Sequence, residues 1–466
     1  MTKTRIEKDT LGELEVPADA YYGIQTQRAV QNFPISDWKA DPVFIWATVA
    51  IKKAAALANM DEGVLDKKIG QAMVKAADEI LAGKHLDQFV VDVHQAGAGT
   101  SHNMNANEIL ANRAAEILGK PKGQYTVVHP NDHVNMGQST NDVFPTAMRL
   151  AALKHLQSFF PQLEALHEAF DKKAREFRNV IKSGRTHLQD AVPLTLGQEF
   201  SGYAKSLKRA CERLDEAGEG LPQLGIGGSA VGTGLNTAPG YREKIVKQLR
   251  QITGLDLEGS DNLFYSMQSM ADFVSVSGEL RNLALELIRI ANDIRLLSSG
   301  PRTGLDELHL PAVQPGSSIM PGKVNPVMAE NMDMVCFQVV GNDLAIAMAS
   351  QAGQLELNVM MPLVNFNLLT SIRILKNAMQ VFRSKCVEGL SANVDRCKEF
   401  AENSLGIATA LNPYLGYRVA AEVVKESIHT GKSVRQIIEK KKLLSKQKLE
   451  NTLKVPGTER KVPGTE

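Results

Sequence analysis

Residues 273–297, FVSVSGELRNLALELIRIANDIRLL, set Phe273, Val276, Leu280, Leu283, Leu287, Ile290, Ile294 and Leu297 three and four residues apart without a break. Such spacing is the a/d seam of a long bundle or coiled-coil helix, because a half-buried strand would alternate every second residue. From about 145 to 177 the pattern recurs, with Leu153, Leu156, Phe160, Leu163, Leu166 and Phe170 on one side. Two more long helices are predicted over about 327–350 and 363–390, and strand-like alternation is scarce. The predicted fold class is all-α, built on a long central helical bundle. One chain does not readily cover seams of this length, so burial against copies of itself predicts a homo-oligomer. On this reading the chain divides into an N-terminal mainly helical region 1–138, a central bundle 139–392 and a small C-terminal helical region 393–466.

A chain of 466 residues is too long for one simple core, which agrees with two or three regions. Its 43% hydrophobic and 23% charged residues and formal net charge of +1 suit an ordinary soluble globular protein. They do not suit a nucleic-acid binder, which needs a concentrated basic surface. The basic run Lys440–Lys442 lacks interleaved aromatics and reads as a solvated helix face. Cys211, Cys336, Cys386 and Cys397 are scattered without C-x-x-C spacing, as expected of reduced structural thiols. The N-terminal MTKTRIEKDTLGELEVP is charged throughout, where a secretory signal needs an apolar stretch. No uncharged apolar run reaches the roughly 18–20 residues of a membrane span. A cytoplasmic protein with neither nucleic-acid nor membrane partners is expected. The tail carries KVPGTE twice, at 454–459 and 461–466, and reads as a disordered end.

Four polar, glycine-bearing segments interrupt the helices: AGAGTSHNMN (96–105), MGQSTND (136–142), SGRTHLQD (183–190) and GSSIMPGKVNP (316–326). A fifth, GIGGSAVGTGLN (225–236), reads as their support. Hydroxyls, amides, glycine amides, one Lys and one or two His are a toolkit for gripping carboxylates, with many neutral donors and close backbone approach. None is a phosphate loop, since GSSIMPGKVNP lacks G-x-x-x-x-G-K-[ST], and no β-α-β unit surrounds 225–236 to make a dinucleotide site. No His/Cys/carboxylate cluster suggests a metal, and no cofactor is expected. Singly, each segment has a plainer reading. Ser139, Thr140 and Asn141 suit a helix N-cap, His187 suits a hydrogen-bonded structural histidine, and 225–236 suits a turn. His102 and His133 read as structural. Joint occurrence of four such segments, with two Ser, a Lys and an Asn inside 316–326, favours a site.

Along nearly its whole length the chain resembles the aspartase/fumarase superfamily, and GSSIMPGKVNP is close to diagnostic of it. The resemblance implies a homotetramer with a core of twenty helices, five from each subunit, and active sites each shared between three subunits. It implies anti elimination from a small dicarboxylate to give fumarate, through an aci-carboxylate dianion. Stabilising that dianion would fall to fixed donors. Ser317 would be the general base, with Gly316, Gly322 and nearby amides steadying its oxyanion. Thr100, Ser139, Thr140 and Ser318 would hold the carboxylate that becomes the dianion. Lys323 and Asn325, helped by Thr186, would hold the other. Asn141 and His187 would contact the leaving group, and Glu330 would orient His187.

QSTND, AGAGTS followed by NMN, and QLELNVMMP (354–362) resemble the branch that releases ammonia from L-aspartate. The water-releasing branch, acting on L-malate, more often shows QSSND and GSGTQ. Thr140 is the informative position, while RTHLQDAVPLTLGQE occurs in both. The superfamily also includes lens crystallins, a structural alternative against which Ser317, Lys323, Asn325, Thr186 and His187 all speak.

Overall fold

All eight members of the 273–297 seam are buried, from Phe273 at 0% exposure to Leu297 at 5%, so the heptad spacing marks a core helix. A computed structural model describes residues 3–452 and Val455; apart from Val455, the KVPGTE repeats lie outside the described residues. The chain opens with the antiparallel pair β1 (Thr4–Asp9) and β2 (Gly12–Pro17), then α1 (Ile24–Asn32), α2 (Pro42–Asp61), α3 (Lys67–Leu81), α4 (Thr100–Ile117) and α5 (Thr140–Glu176). The hairpin β3 (Ile181–Thr186) and β4 (Gln189–Thr195) follows, then α6 (Leu196–Gly218), α7 (Tyr241–Thr253), α8 (Leu263–Gln268), α9 (Ala271–Leu297), α10 (Val327–Gln351) and α11 (Met361–Lys385). The described chain ends with α12 (Val394–Asn403), α13 (Asn412–Thr430), α14 (Val434–Lys441) and α15 (Lys446–Thr452). The predicted all-α class holds, with only short two-stranded pairings among the described residues.

Two compact units result. One comprises Met1–Phe160, Arg213–Asn282 and Gln338–Ile374; the other comprises Pro161–Glu212, Leu283–Phe337 and Leu375–Glu466. The four longest helices α5, α9, α10 and α11 therefore each contribute residues to both. On α5 the fully buried stripe includes Leu163, Leu166 and Phe170 as predicted, but Phe159 is buried and Phe160 is partly exposed. The predicted 363–390 helix stops sooner, because Cys386 leaves helical geometry (φ −130°, ψ −72°) before a short 3-10 turn at Val387–Gly389. Leu390 then offers its carbonyl to the buried Lys173 ammonium at 2.7 Å.

By length and composition, α2 and α10 would each be able to cross a membrane, although both carry charges: Lys52 and Lys53, and Asp333 and Asp343. Most of α2 is buried in the core. α10 differs in having two apolar faces. Met332, Cys336, Val339 and Ile346 are buried, whereas Met334, Phe337, Leu344 and Met348, at the three-and-four spacing of a second seam through Gly341, stand 57–65% exposed. Truncating the seam of α9 tests its role. Leu287→Ala should cost about 3 kcal/mol of stability in urea unfolding, through lost transfer free energy and the cavity left behind.

Candidate active site

In the first unit, α4 and α5 begin within reach of each other. Ser139 is the N-cap of α5: its hydroxyl accepts from the Asn141 amide at 3.2 Å, and Asp142 reaches back to the Ser139 amide at 2.9 Å. This is a capping box with Asp in the third position, so the plain reading of 139–141 as a cap is correct in itself. Thr140 Oγ1 accepts from Asn103 Nδ2, on α4, at 3.2 Å, which ties the two helix ends together. Thr100 begins α4 and is exposed, and its hydroxyl makes no hydrogen bond among the described residues. Two helix N-termini edged by hydroxyls can seat a carboxylate, because the hydroxyls can donate and the helix dipole favours negative charge.

A buried polar layer beneath this seat went unread in the sequence. Lys52, 1% exposed, donates to Asn135 Oδ1 at 3.0 Å and Gln138 Oε1 at 2.9 Å. Asn135 Oδ1 also accepts from Asn103 and Asn107. Asp142 is wholly buried and accepts from the amides of Ser139, Gly227 and Ser229. Burial pushes its carboxyl up, and those three N–H groups and the Lys52 charge draw it part of the way back. Burial likewise pushes Lys52 down, opposed by Asp142. Glycines and amides dominate this part of the sequence, so no charge pattern pointed to the pair.

His102 is a core residue, as its structural reading held. It stacks on Phe44 at 4.6 Å, and Nε2 lies 3.0 Å from Thr48 Oγ1, whose own proton goes to the Phe44 carbonyl. Nε2 therefore carries the imidazole proton. Burial, reinforced by the nearby Lys52 charge, pushes His102 down to about 3.

In the second unit, Thr186 and His187 occupy the end of the β3–β4 hairpin. The two-residue turn is His187–Leu188, both left-handed at φ 56° and 59°, where hairpins usually carry Asn-Gly. Bulky residues in that region are costly, and such strain is concentrated at functional sites. Gly184 forms a bulge that only glycine fits, since a Cβ there would lie 2.4 Å from the Val192 carbonyl. Below the tip, Arg185 holds the fully buried Glu307 with two parallel bonds of 2.9 and 3.0 Å. Lys182 bonds Glu199 at 2.7 Å and lies 3.5 Å from Glu307. Arg185, Lys182, Glu199 and Glu307 position the hairpin, and only Arg185 lay within a segment singled out from sequence.

The 316–326 loop is pinched at its base. Gly316 donates to the Lys323 carbonyl at 2.8 Å, Asn325 Nδ2 donates to the Gly316 carbonyl at 2.7 Å, and a Cβ on Gly316 would meet Lys323 O at 2.5 Å. Ser317 Oγ accepts from the amides of Ile319 at 3.2 Å and Met320 at 3.0 Å. Of the expected donors, Gly316, Gly322 and nearby amides, it is the nearby amides of Ile319 and Met320 that reach the hydroxyl oxygen, whereas Gly316 has its N–H committed to Lys323. Ser318 and Lys323 are exposed, and Glu330 donates its main-chain N–H to the Pro326 carbonyl at 3.1 Å. Within one chain, then, Thr100, Ser139, Thr140 and Asn141 belong to the first unit, and Thr186, His187, Ser317, Ser318, Lys323, Asn325 and Glu330 to the second.

The sequence pattern of the family described as Lyase matches residues 12–341, and that of Fumarase C C-terminus matches 407–456. An aspartate ammonia-lyase of Bacillus subtilis is 53% identical over 446 residues, 96% of this chain and 94% of the relative. One from Helicobacter pylori is 48% identical, with 97% of each chain covered. Among solved structures, the native fumarate lyase:delta crystallin of Brucella melitensis has a TM-score of 0.92 at 49% identity, covering 97% of this chain and 99% of that one. Class II fumarase from Schistosoma mansoni has a TM-score of 0.93 at 39% identity, covering 97% and 98%. A helical lyase is the class that fold and site define, and the chain belongs to the aspartase/fumarase superfamily.

Two substitutions test the supports. The folded pKa of His102 lies below its unfolded value, so its contribution to stability is complete above pH 6.5 and falls as pH drops towards 3. His102→Leu should flatten the loss of stability between pH 6.5 and 4.5 by about 2 kcal/mol, read from urea unfolding at each pH. Glu307→Ala, which strands Arg185 and leaves Lys182 with Glu199 alone, should cost roughly 3–5 kcal/mol in the same measurement at pH 7.

Proposed function

We propose that the protein is an aspartate ammonia-lyase, catalysing the reversible anti elimination of ammonia from L-aspartate to give fumarate. The observation that carries the chemistry is Ser317 Oγ receiving two main-chain N–H groups, from Ile319 and Met320. A serine hydroxyl is a poor base until its oxyanion is stabilised, and two fixed donors do this without reorganising during reaction. Identities of 48–53% to aspartate ammonia-lyases, against 39% to the fumarase, favour ammonia over water as the leaving group.

On this reading Ser317 takes the proton from the carbon beside one carboxylate, and the electron pair of that C–H bond spreads into the carboxylate as an aci-carboxylate. The seat built from the starts of α4 and α5, with Thr100, Ser139, Thr140 and Ser318, binds the added negative charge. Lys323 and Asn325, with Thr186, anchor the second carboxylate. The C–N bond then breaks, its electrons leaving with the nitrogen as ammonia past Asn141 and His187, with Glu330 orienting the imidazole. Closure of 316–326 over substrate would exclude water; Ile319, Met320 and Val324 in that loop are 84%, 49% and 49% exposed.

The exposed seam of α10 supports a homotetramer, in which active sites are assembled from three subunits. A helix apolar on two faces needs a second partner. The division into 1–138, 139–392 and 393–466 belongs to the same proposal: the first region carries Thr100 and the second the other named residues. A cytoplasmic location goes with it, since Cys336, Cys386 and Cys397 are free and buried, and burial raises each thiol to about 12.

An absorbance assay for fumarate, run separately with L-aspartate and L-malate, tests the activity. Product from L-aspartate alone is expected; product from L-malate alone would make the protein a fumarase, and none from either would leave the crystallin-like role. Ser317→Ala should lose at least about 10³-fold in kcat while remaining folded and assembled, and near-normal turnover would remove Ser317 as the base. Leu344→Asp, on the exposed seam, should dissociate the tetramer in light scattering and abolish activity with it.

A further inference from the structure

We propose that the glycine-rich segment 225–236 is a positioning element: the Ala230 carbonyl orients the Asn141 amide, so that the leaving group meets an acceptor. Asn141 Nδ2 donates to the Ala230 carbonyl at 2.8 Å. Flipping the amide would set two oxygens against each other, so its NH2 side is committed and Oδ1 is the atom left for a ligand. An ammonium group only donates, whereas a hydroxyl both donates and accepts. An amide locked with its oxygen outward therefore presents an acceptor to the N–H groups of the amino leaving group.

The carbonyl is held in place by a built structure. One carboxylate oxygen of the buried Asp142 accepts from the amides of Gly227 at 3.0 Å and Ser229 at 2.9 Å, and the other caps α5 through Ser139. Asp142 thus fastens 227–229 to the helix turn that carries Asn141. Within the segment, Gly228 donates to Gly225 O at 3.1 Å, and Gly232 and Gly234 donate to Gly228 O at 3.0 and 3.1 Å. Ser229 is left-handed at φ 57°, a conformation an ordinary side chain seldom takes. A Cβ on Gly228 would lie 3.1 Å from Gly225 O and 3.2 Å from Gly232 Cα, a clash of a few tenths of an ångström. Alanine there would also disturb the Gly227 and Ser229 amides that hold Asp142, whereas Ala230→Gly loosens the carbonyl without adding an atom between them. Asp142 and Ala230 are positioning residues on this argument, which rests on the reading of Asn141 as a leaving-group contact.

The test compares the parent with Ala230→Gly in two measurements: steady-state kinetics on L-aspartate, and competitive inhibition by succinate, which has both carboxylates and no leaving group. Ala230→Gly should lower kcat/KM for L-aspartate about tenfold, since small misplacements of a contact carry costs of that order. The succinate inhibition constant should stay within about twofold, because the amides that hold Asp142 are unmoved. Parallel weakening of succinate would make the segment general scaffolding and overturn the proposal, as would unchanged kinetics on L-aspartate. A parent that yields no fumarate from L-aspartate would instead remove the ammonia-lyase reading, a result seen before any variant is made.

Discussion

The Asp142 carboxylate, buried completely and satisfied by the amides of Ser139, Gly227 and Ser229, is the interaction on which the first unit's part of the site depends. A buried charge without partners would be very costly, so it can persist only where several donors converge. That requirement brings the start of α5 and the glycine-rich segment together. Lys52, itself inside the core, adds an opposing charge and reaches Thr140 through Asn135 and Asn103. The carboxylate seat therefore rests on a hydrogen-bonded layer whose members restrain one another, which is how a site made of neutral hydroxyls acquires a fixed geometry.

The second unit solves the same problem differently. Its proposed site residues lie on exposed turns, and rigidity comes from below, through the buried Arg185–Glu307 pair and the pinched base of the 316–326 loop. His187 is held at a hairpin tip in a backbone region that bulky residues avoid, and firm packing beneath it offsets that strain. Ser317 is set against two amides of its own loop.

Elements whose physics is local were legible in the sequence. Heptad spacing in 273–297 was enough to place a helix and its apolar face, although the same spacing on α10 marks a face that stays exposed within the chain. The same logic erred by one residue at Phe159 and Phe160, where neighbouring aromatics compete for one inward direction. The β3–β4 hairpin escaped notice because its turn is His-Leu, without the Asn-Gly that announces a tight turn. Ser317 was nominated from its motif together with Gly316, Gly322 and nearby amides; which of those amides face its hydroxyl, Ile319 and Met320, depends on how the loop folds back.

By itself, then, the sequence determined the helical class and the lyase superfamily and nominated the segments of the proposed site, since periodicity and an intact motif are properties of neighbours along the chain. Only the tertiary structure decided which of those groups have company. It alone revealed the Lys52 and Asp142 layer, the Glu307 anchor and the hold of Ala230 on Asn141, because each joins residues about 85 or more positions apart. Pairings at such separations are set by how helices pack and loops close, and no local pattern encodes them.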